Sequence, residues 1–218
     1  GVRVAGSDHM IVDEPTRFER LWFALRKHRG TSENIFIPSG NFIIDREVFH
    51  EVGGFDADFI SGEDADICYR LIKKGYTIVS SDSIKVVHLN EPKTLAEFFR
   101  KEIWHGKGMF RIFSRHIGMD VIKVPLISLI YLLALIACLV LLIIGRYSAS
   151  AGIAVLVLCV VPLSLSLIAF VKGRHREIIY AAVIYLCYFT ARTVSIVRYN
   201  QFLDIIRAAA GVFRRRNA

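Results

Sequence analysis

The sequence predicts an α/β domain followed by an α-helical membrane region with two to three transmembrane helices. Short strand-like and helix-like runs alternate as far as His88, separated by Gly, Pro, Asn and Asp. Three long apolar segments follow, over about residues 124–144, 149–171 and 178–197. Charge divides the chain near the same place. Residues 1–120 carry 17 Lys+Arg against 18 Asp+Glu, whereas residues 121–218 carry 11 against 2. The formal net charge of +8 therefore belongs to the apolar half, where basic residues flank hydrophobic runs. That pattern points to a lipid bilayer rather than to nucleic acid.

In chain order, residues 2–5 suit a short strand. From Thr16 to Arg29, Phe18, Leu21, Trp22 and Leu25 recur at helical spacing, and Gly30 supplies a stop. Ile35–Ile37 and Phe42–Ile44 read as strands around the turn Pro38-Ser39-Gly40-Asn41. A short helix over about Arg46 to Val52 ends at Gly53-Gly54. A second helix starts at Glu63 and stops at Gly75, with Lys73 and Lys74 in its last turn, where cations suit the helix dipole. Strands are expected near Tyr76–Ser80 and Ile84–His88. The first domain thus occupies residues 1–93.

Residues 94–120 form an amphipathic helix, with Leu95, Phe98, Phe99, Ile103, Phe110, Phe113 and Ile117 on one face and Gly106 and Gly108 as possible break points. Its apolar face has two readings: it lies in a membrane interface, or it packs on the globular half. Within the region 121–197, the first two apolar segments carry no charge and are joined only by Gly145-Arg146-Tyr147-Ser148, which makes them a hairpin. The basic loop Lys172-Gly173-Arg174-His175-Arg176 is expected in the cytoplasm, and the first domain with it. The third segment is interrupted by Arg192 and followed by a basic tail, residues 198–218. Its length favours a third crossing; a re-entrant or in-plane helix would instead keep the tail cytoplasmic. Cys68, Cys138, Cys159 and Cys187 show no metal-ligand spacing and read as small buried hydrophobes in a reducing compartment.

The strongest hint of chemistry lies between Val52 and Arg70. On a helical wheel, Ile67, Cys68, Leu71 and Ile72 form an apolar stripe, while Asp66 and Arg70 fall opposite, spaced for an exposed ion pair. Asp64 falls within the apolar stripe, in the first turn. An inward carboxylate there is costly unless something receives it, and the free N–H groups of the helix mouth help keep it ionised. Asp56-Ala57-Asp58 and Asp64-Ala65-Asp66 both match Asp-x-Asp, but neither follows a hydrophobic strand, so both are weak metal clamps; Asp56 and Asp58 read as turn formers. His88 closes a strand-like run, where a structural hydrogen-bonding role is the plainer reading. Trp104, beside His105 and Lys107, suits a membrane interface or stacking on a sugar or lipid head.

Taken together, Ile37-Pro38-Ser39-Gly40-Asn41-Phe42, Arg46-Glu47-Val48-Phe49, Val52-Gly53-Gly54-Phe55-Asp56, Gly62-Glu63-Asp64-Ala65-Asp66 and Val87-His88 form an ordered series. The series resembles the C-terminal, acceptor-side half of the GT-A domain of family 2 glycosyltransferases, over roughly residues 1–110, and the apolar segments resemble those of membrane-anchored bacterial members. The resemblance implies inverting transfer of a sugar from a nucleotide-sugar donor to a hydroxyl acceptor, lipid-linked or glycan, in cell-surface glycan or glycolipid synthesis at the cytoplasmic (inner) membrane. It makes Asp64 the general base and Glu63 its neighbour. Gly40 and Asn41 then belong to a substrate-binding loop, Trp104 to a substrate contact, and His88 to a divalent metal (Mg²⁺ or Mn²⁺) or the diphosphate.

Two departures qualify the resemblance. The family's nucleotide-binding half, which mainly holds the metal, should precede Gly1, so the chain is expected to be a partial GT-A domain, inactive alone. Processive members carry Gln-x-x-Arg-Trp before the membrane; here Arg100-Lys101-Glu102-Ile103-Trp104 keeps only the Trp, which points to single sugar transfer. The rival from another class is a non-catalytic membrane module that binds a partner or a glycolipid.

Overall fold

The computed structural model describes residues 1–7, 9–26, 36–116 and 123–216. The chain divides into two compact units, one of Gly1–Pro15 and His28–Glu91, the other of Thr16–Lys27 and Pro92–Ala218. The elements of the smaller unit alternate with one helix of the larger: β1 (Val4–Gly6), then α1 (Arg17–Arg26) of the larger unit, then β2 (Phe42–Ile44), α2 (Arg46–Glu51), α3 (Glu63–Lys73) and β3 (Val79–Ser80).

The smaller unit is an α/β arrangement around a three-stranded sheet of order β2-β1-β3. Strand β1 pairs antiparallel with β2, Ala5 opposite Ile43, and parallel with β3, Ala5 opposite Val79. Its core gathers Val4, Ile37, Val48, Val52, Ile67, Cys68, Leu71 and Ile78. The predicted apolar stripe of α3 supplies three of these. Helix α2 starts where Asp45 accepts from the backbone N–H groups of Glu47 (2.9 Å) and Val48 (3.2 Å), an N-cap that satisfies two orphan donors. The Cys68 thiol is buried, which pushes its pKa up to about 11 and leaves it inert.

Three strand expectations shrink. Phe36 and Ile37 are not in a strand, and Ile35 lies outside the described residues. Tyr76–Ser80 contributes only β3, and Ile84–His88 keeps a single parallel bridge, Val87 with Met10. Strands exist only where a partner offers a ladder, and β-propensity cannot report the partner.

Asp66 is a correction of a different kind. The wheel places it in an exposed ion pair, but its side chain is 1% accessible. The pair with Arg70 forms (2.7 Å), and Arg70 also donates to the carbonyls of Val52 and Gly54, the latter at 2.6 Å. The Val52–Gly54 turn therefore folds over a face that the wheel left open. Asp66→Ala is expected to lower unfolding stability by about 1.5–3 kcal/mol, the worth of a charged hydrogen bond, visible as a lower urea midpoint; an unchanged midpoint would make the pair incidental.

The larger unit is helical. After α1 come α4 (Leu95–His105), a 3₁₀ turn (Gly106–Gly108) and α5 (Met109–Arg115), so the single helix expected over 94–120 breaks at its glycines; residues 117–120 lie outside the described set. Thr94 caps α4 through the Glu97 N–H (3.2 Å). Then follow α6 (Lys123–Ile143), α7 (Tyr147–Val155) running through one π-helical turn into α8 (Val161–Val171), α9 (Ile178–Arg198) and α10 (Phe202–Arg216). Pro162, in the first turn of α8, has no N–H for the preceding turn, and the wider π turn immediately before it accommodates that loss. Among the described residues, three helices are long and apolar enough to cross a membrane: Lys123–Ile143, Tyr147–Val171 and Ile178–Arg198.

Helix α9 is the hub of this unit. Its Ala181 and Ile184 pack with Phe18, Leu21 and Leu25 of α1, Phe98 of α4 and Ala169 of α8. Ile196 clusters with Met109 and Phe110, and Phe189 with Tyr131 and Val157. Near its end the backbone of Gly106 presses on Ser195. A Cβ at Gly106 would stand 2.3 Å from Ser195 Oγ and 2.6 Å from its Cβ. Ser195 cannot yield, because Gln201 Nε2 holds its Oγ (3.0 Å) and its carbonyl (3.1 Å) together with the Gly106 carbonyl (3.0 Å). Gly106→Ala is expected to cost about 1–3 kcal/mol as overpacking, read as a lower melting temperature in mild detergent; Gly152→Ala, with open space around it, is the matched control.

Candidate functional site

The smaller unit brings most of the candidate residues together. Gly62 enters α3 with φ +87°, a left-handed conformation natural to glycine, and turns the chain so that Glu63 and Asp64 occupy the helix mouth. Asp64 is partly buried. Its Oδ1 accepts from the Ala65 N–H (2.8 Å) and its Oδ2 from the Ser39 N–H (3.3 Å), so the helix mouth and the Pro38–Asn41 turn share one carboxylate. Burial, then the Glu63 charge, raises its pKa from the ordinary value of an aspartate, and the backbone donors only partly offset this. The result is a carboxylate more basic than an exposed one, positioned by main-chain groups.

The turn itself, Ser39–Asn41, is one turn of 3₁₀ helix. Asn41 is buried and spends both amide hydrogens inside the fold, donating to Ser7 Oγ (2.6 Å) and to the Ile84 carbonyl (2.7 Å). It pins the turn between the end of β1 and the segment after β3. Gly40 is exposed, and a Cβ there would stand 3.0 Å from His9 Nε2. Glycine at this position lets the imidazole approach.

His9 was not foreseen. Its ring stacks on His88 with centroids 4.8 Å apart and planes 12° from parallel. The stack follows from the backbone, since Met10 donates to Val86 O (2.8 Å) and His88 to Met10 O (3.4 Å), placing the two histidines side by side. His88 Nδ1 lies 3.2 Å from Glu91 Oε1. A continuous set therefore runs from Asp64 through the Ser39–Gly40 turn to His9, His88 and Glu91. The sequence signal for His9 is faint: one histidine far from the motif series.

A divalent metal was expected chiefly outside these residues, with His88 as an auxiliary. Among the described residues, no group of three or more His, Cys, Asp or Glu side chains could hold a metal ion. His88 Nδ1 is buried 3.2 Å from Glu91 Oε1 without hydrogen-bond geometry, and the ring face is covered by His9. The described residues do not fit a metal centre of their own. Asp56 behaves as the predicted turn former, its Oδ1 accepting from the Asp58 N–H (2.9 Å). Trp104 belongs to the larger unit, where it is 44% exposed, with Lys107 Nζ 5.9 Å from its ring centre.

Residues 12–193 match the family described as "Glycosyl transferase family group 2". Among curated proteins, the chain is 34% identical over 94 residues to the "Succinoglycan biosynthesis protein ExoA" of Rhizobium meliloti (strain 1021), a match covering 43% of this chain and 28% of that protein. It is 31% identical over 81 residues to the "Pre-mycofactocin glycosyltransferase" of Mycobacterium tuberculosis (strain CDC 1551 / Oshkosh), covering 37% of this chain and 17% of that protein. The chain thus spans less than a third of the length of these relatives.

Proposed function

The chain belongs to glycosyl transferase family group 2, and from that membership we propose that it is the acceptor-side and membrane part of an inverting glycosyltransferase. In this reading the partial GT-A domain faces the cytoplasm, and the apolar helices hold it in the inner membrane. The donor is a nucleotide sugar, and the acceptor is a lipid-linked or glycan hydroxyl.

Asp64 is the general base. It removes the proton from the acceptor hydroxyl as that oxygen bonds to the anomeric carbon. The bond from that carbon to the diphosphate breaks on the opposite side, and its electron pair leaves with the diphosphate, so the configuration inverts. A base serves this step when it is ionised, partly desolvated and fixed in position. The observation that carries the reading is the Asp64 carboxylate at the mouth of α3, held by Ser39 and Ala65 and made more basic by burial. Glu63 tunes that basicity. Gly40 and Asn41 shape the turn beside it, and His88, oriented by Glu91 and His9, is an auxiliary donor toward the diphosphate. Trp104 is assigned to acceptor stacking.

The test is release of nucleoside diphosphate from a nucleotide sugar by membranes carrying the intact protein, parent against Asp64→Asn. Near-normal release by a folded variant overturns the assignment.

A further inference from the structure

Helix α9 is long and apolar enough to span a bilayer, and its length alone favours a third crossing. The contacts within the larger unit point elsewhere. Helix α6 (21 residues) and the α7–α8 run (25 residues) each exceed the roughly 30 Å of hydrocarbon at 1.5 Å rise per residue, and only Ile144–Arg146 joins them. They form a hairpin, so the start of α6 and the end of α8 lie at the same membrane face.

Both ends of α9 are tied to that face. At its first turn, Ser166 Oγ of α8 donates to the Ile178 carbonyl (2.6 Å), and Ala181 packs with Ala169. Near its last turns, Thr193 Oγ1 lies 3.1 Å from the Ser128 carbonyl of α6, sharing its proton with the Phe189 carbonyl (2.8 Å), and Ile196 clusters with Val124 and Leu129. A third crossing would carry residues 193–196 toward the Gly145 turn instead.

The flank of α9 gives a second, independent argument. Helix α4 runs beside it in the same direction: Cys187 Sγ is 3.7 Å from the Leu95 carbonyl, Arg192 pairs with Glu102 at 2.6 Å, and Gln201 reaches the Gly106 carbonyl at 3.0 Å. Helix α4 exposes Glu97 and Arg100. If α9 crossed the bilayer, it would draw these charges into hydrocarbon, at about 2.5–3.5 kcal/mol each near the midplane. The exposed residues of α9 form one apolar stripe, Ile179, Val183, Val194 and Val197, which Phe202 and Leu203 of α10 continue. Exposed Arg198 borders the stripe at its C-terminal end, and Lys172 and Arg176 precede it.

We infer that α9 is an in-plane helix, its apolar stripe seated at the boundary of acyl chains and anionic headgroups, and that the chain crosses the membrane twice. The basic border of the stripe complements anionic lipid. The amphipathic α4 and the C-terminal α10 then remain on the membrane face where the hairpin begins and ends. Among the described residues, α6 is the first helix long and apolar enough to cross a membrane, so a tag placed at Gly1 is expected on that face too. This inference rests on helix contacts and stands apart from the proposed chemistry.

The experiment uses the full chain with an epitope tag at each terminus, in sealed vesicles of both orientations, treated with protease. A third probe, Ser148→Cys in the exposed first turn of α7, is read with a membrane-impermeant thiol reagent against the parent's own cysteines. Expected are both tags cleaved in one vesicle orientation and Ser148→Cys labelled in the other. A C-terminal tag cleaved only in the orientation that protects the N-terminal tag overturns the in-plane assignment. Labelling of Ser148→Cys from the same side as both tags overturns the two crossings.

Discussion

Asp64→Asn is expected to lower nucleoside diphosphate release by about 10²–10⁴-fold, the usual worth of a positioned general base, with far less change in donor KM. Asparagine keeps the size of the side chain and an acceptor oxygen for the shorter bond from the Ala65 N–H (2.8 Å), giving up only the longer one from Ser39 (3.3 Å), so the loss reads basicity rather than shape. Stability should move the other way. The folded-state pKa of Asp64 is raised, chiefly by burial, so the folded protein holds this proton more tightly than the unfolded chain. The stabilisation that the proton confers is present below the unfolded pKa and lost as pH rises through the folded one. At neutral pH the ionised carboxylate is therefore a folding cost that the amide lacks, and Asp64→Asn should melt at or above the parent temperature. A variant that lost activity and stability together would make Asp64 structural. Glu63 gives the companion signature. Its charge is the second cause raising the Asp64 pKa, so Glu63→Gln should move the acidic limb of the kcat/KM profile to lower pH.

The helices of this chain were legible because their signals are local. The stripe of Ile67, Cys68 and Leu71 on α3, the cap at Thr94 and the glycine break after His105 each lie within a few residues of what they control. What the sequence hid depends on distant partners. Ile84–His88 has strand composition but meets only Met10, so a bridge forms where a strand was expected. Asp66 has the spacing of an exposed ion pair and forms it with Arg70, yet the Val52–Gly54 turn buries its face. Of the candidate site, Asp64 stood out because a carboxylate on an apolar stripe is a local anomaly. Ser39 and Gly40 were named with the motif series, and the structure joins them to Asp64. His9 carries no such mark, since its place beside His88 follows from a bridge across the chain.

Arg192 makes the same point inside the apolar region, and the largest stability effect is expected there. In the sequence it is an interruption of a membrane segment. In the fold its guanidinium lies 2.6 Å from Glu102, with side chains 13% and 7% exposed, and 5.0 Å over the Tyr188 ring. The charge that weakens α9 as a crossing helix is the charge that fastens it to α4. Glu102→Leu should destabilise the protein by about 3–5 kcal/mol, because it strands a buried cation beside the Tyr188 side chain. Arg192→Met should cost a comparable amount by stranding the carboxylate. The double variant Glu102→Leu/Arg192→Met should recover much of either loss, since a buried ion pair contributes little beyond a well-packed apolar pair of similar volume. The check is a double-mutant cycle on the unfolding midpoint in mild detergent, where the two single losses must fall well short of adding. Additive losses would mean that the two side chains act separately. In that event, the coupling of the amphipathic helix to α9 would rest on Phe98 against Ala181 and Ile184, the Cys187–Leu95 contact and the Gly106–Ser195–Gln201 group.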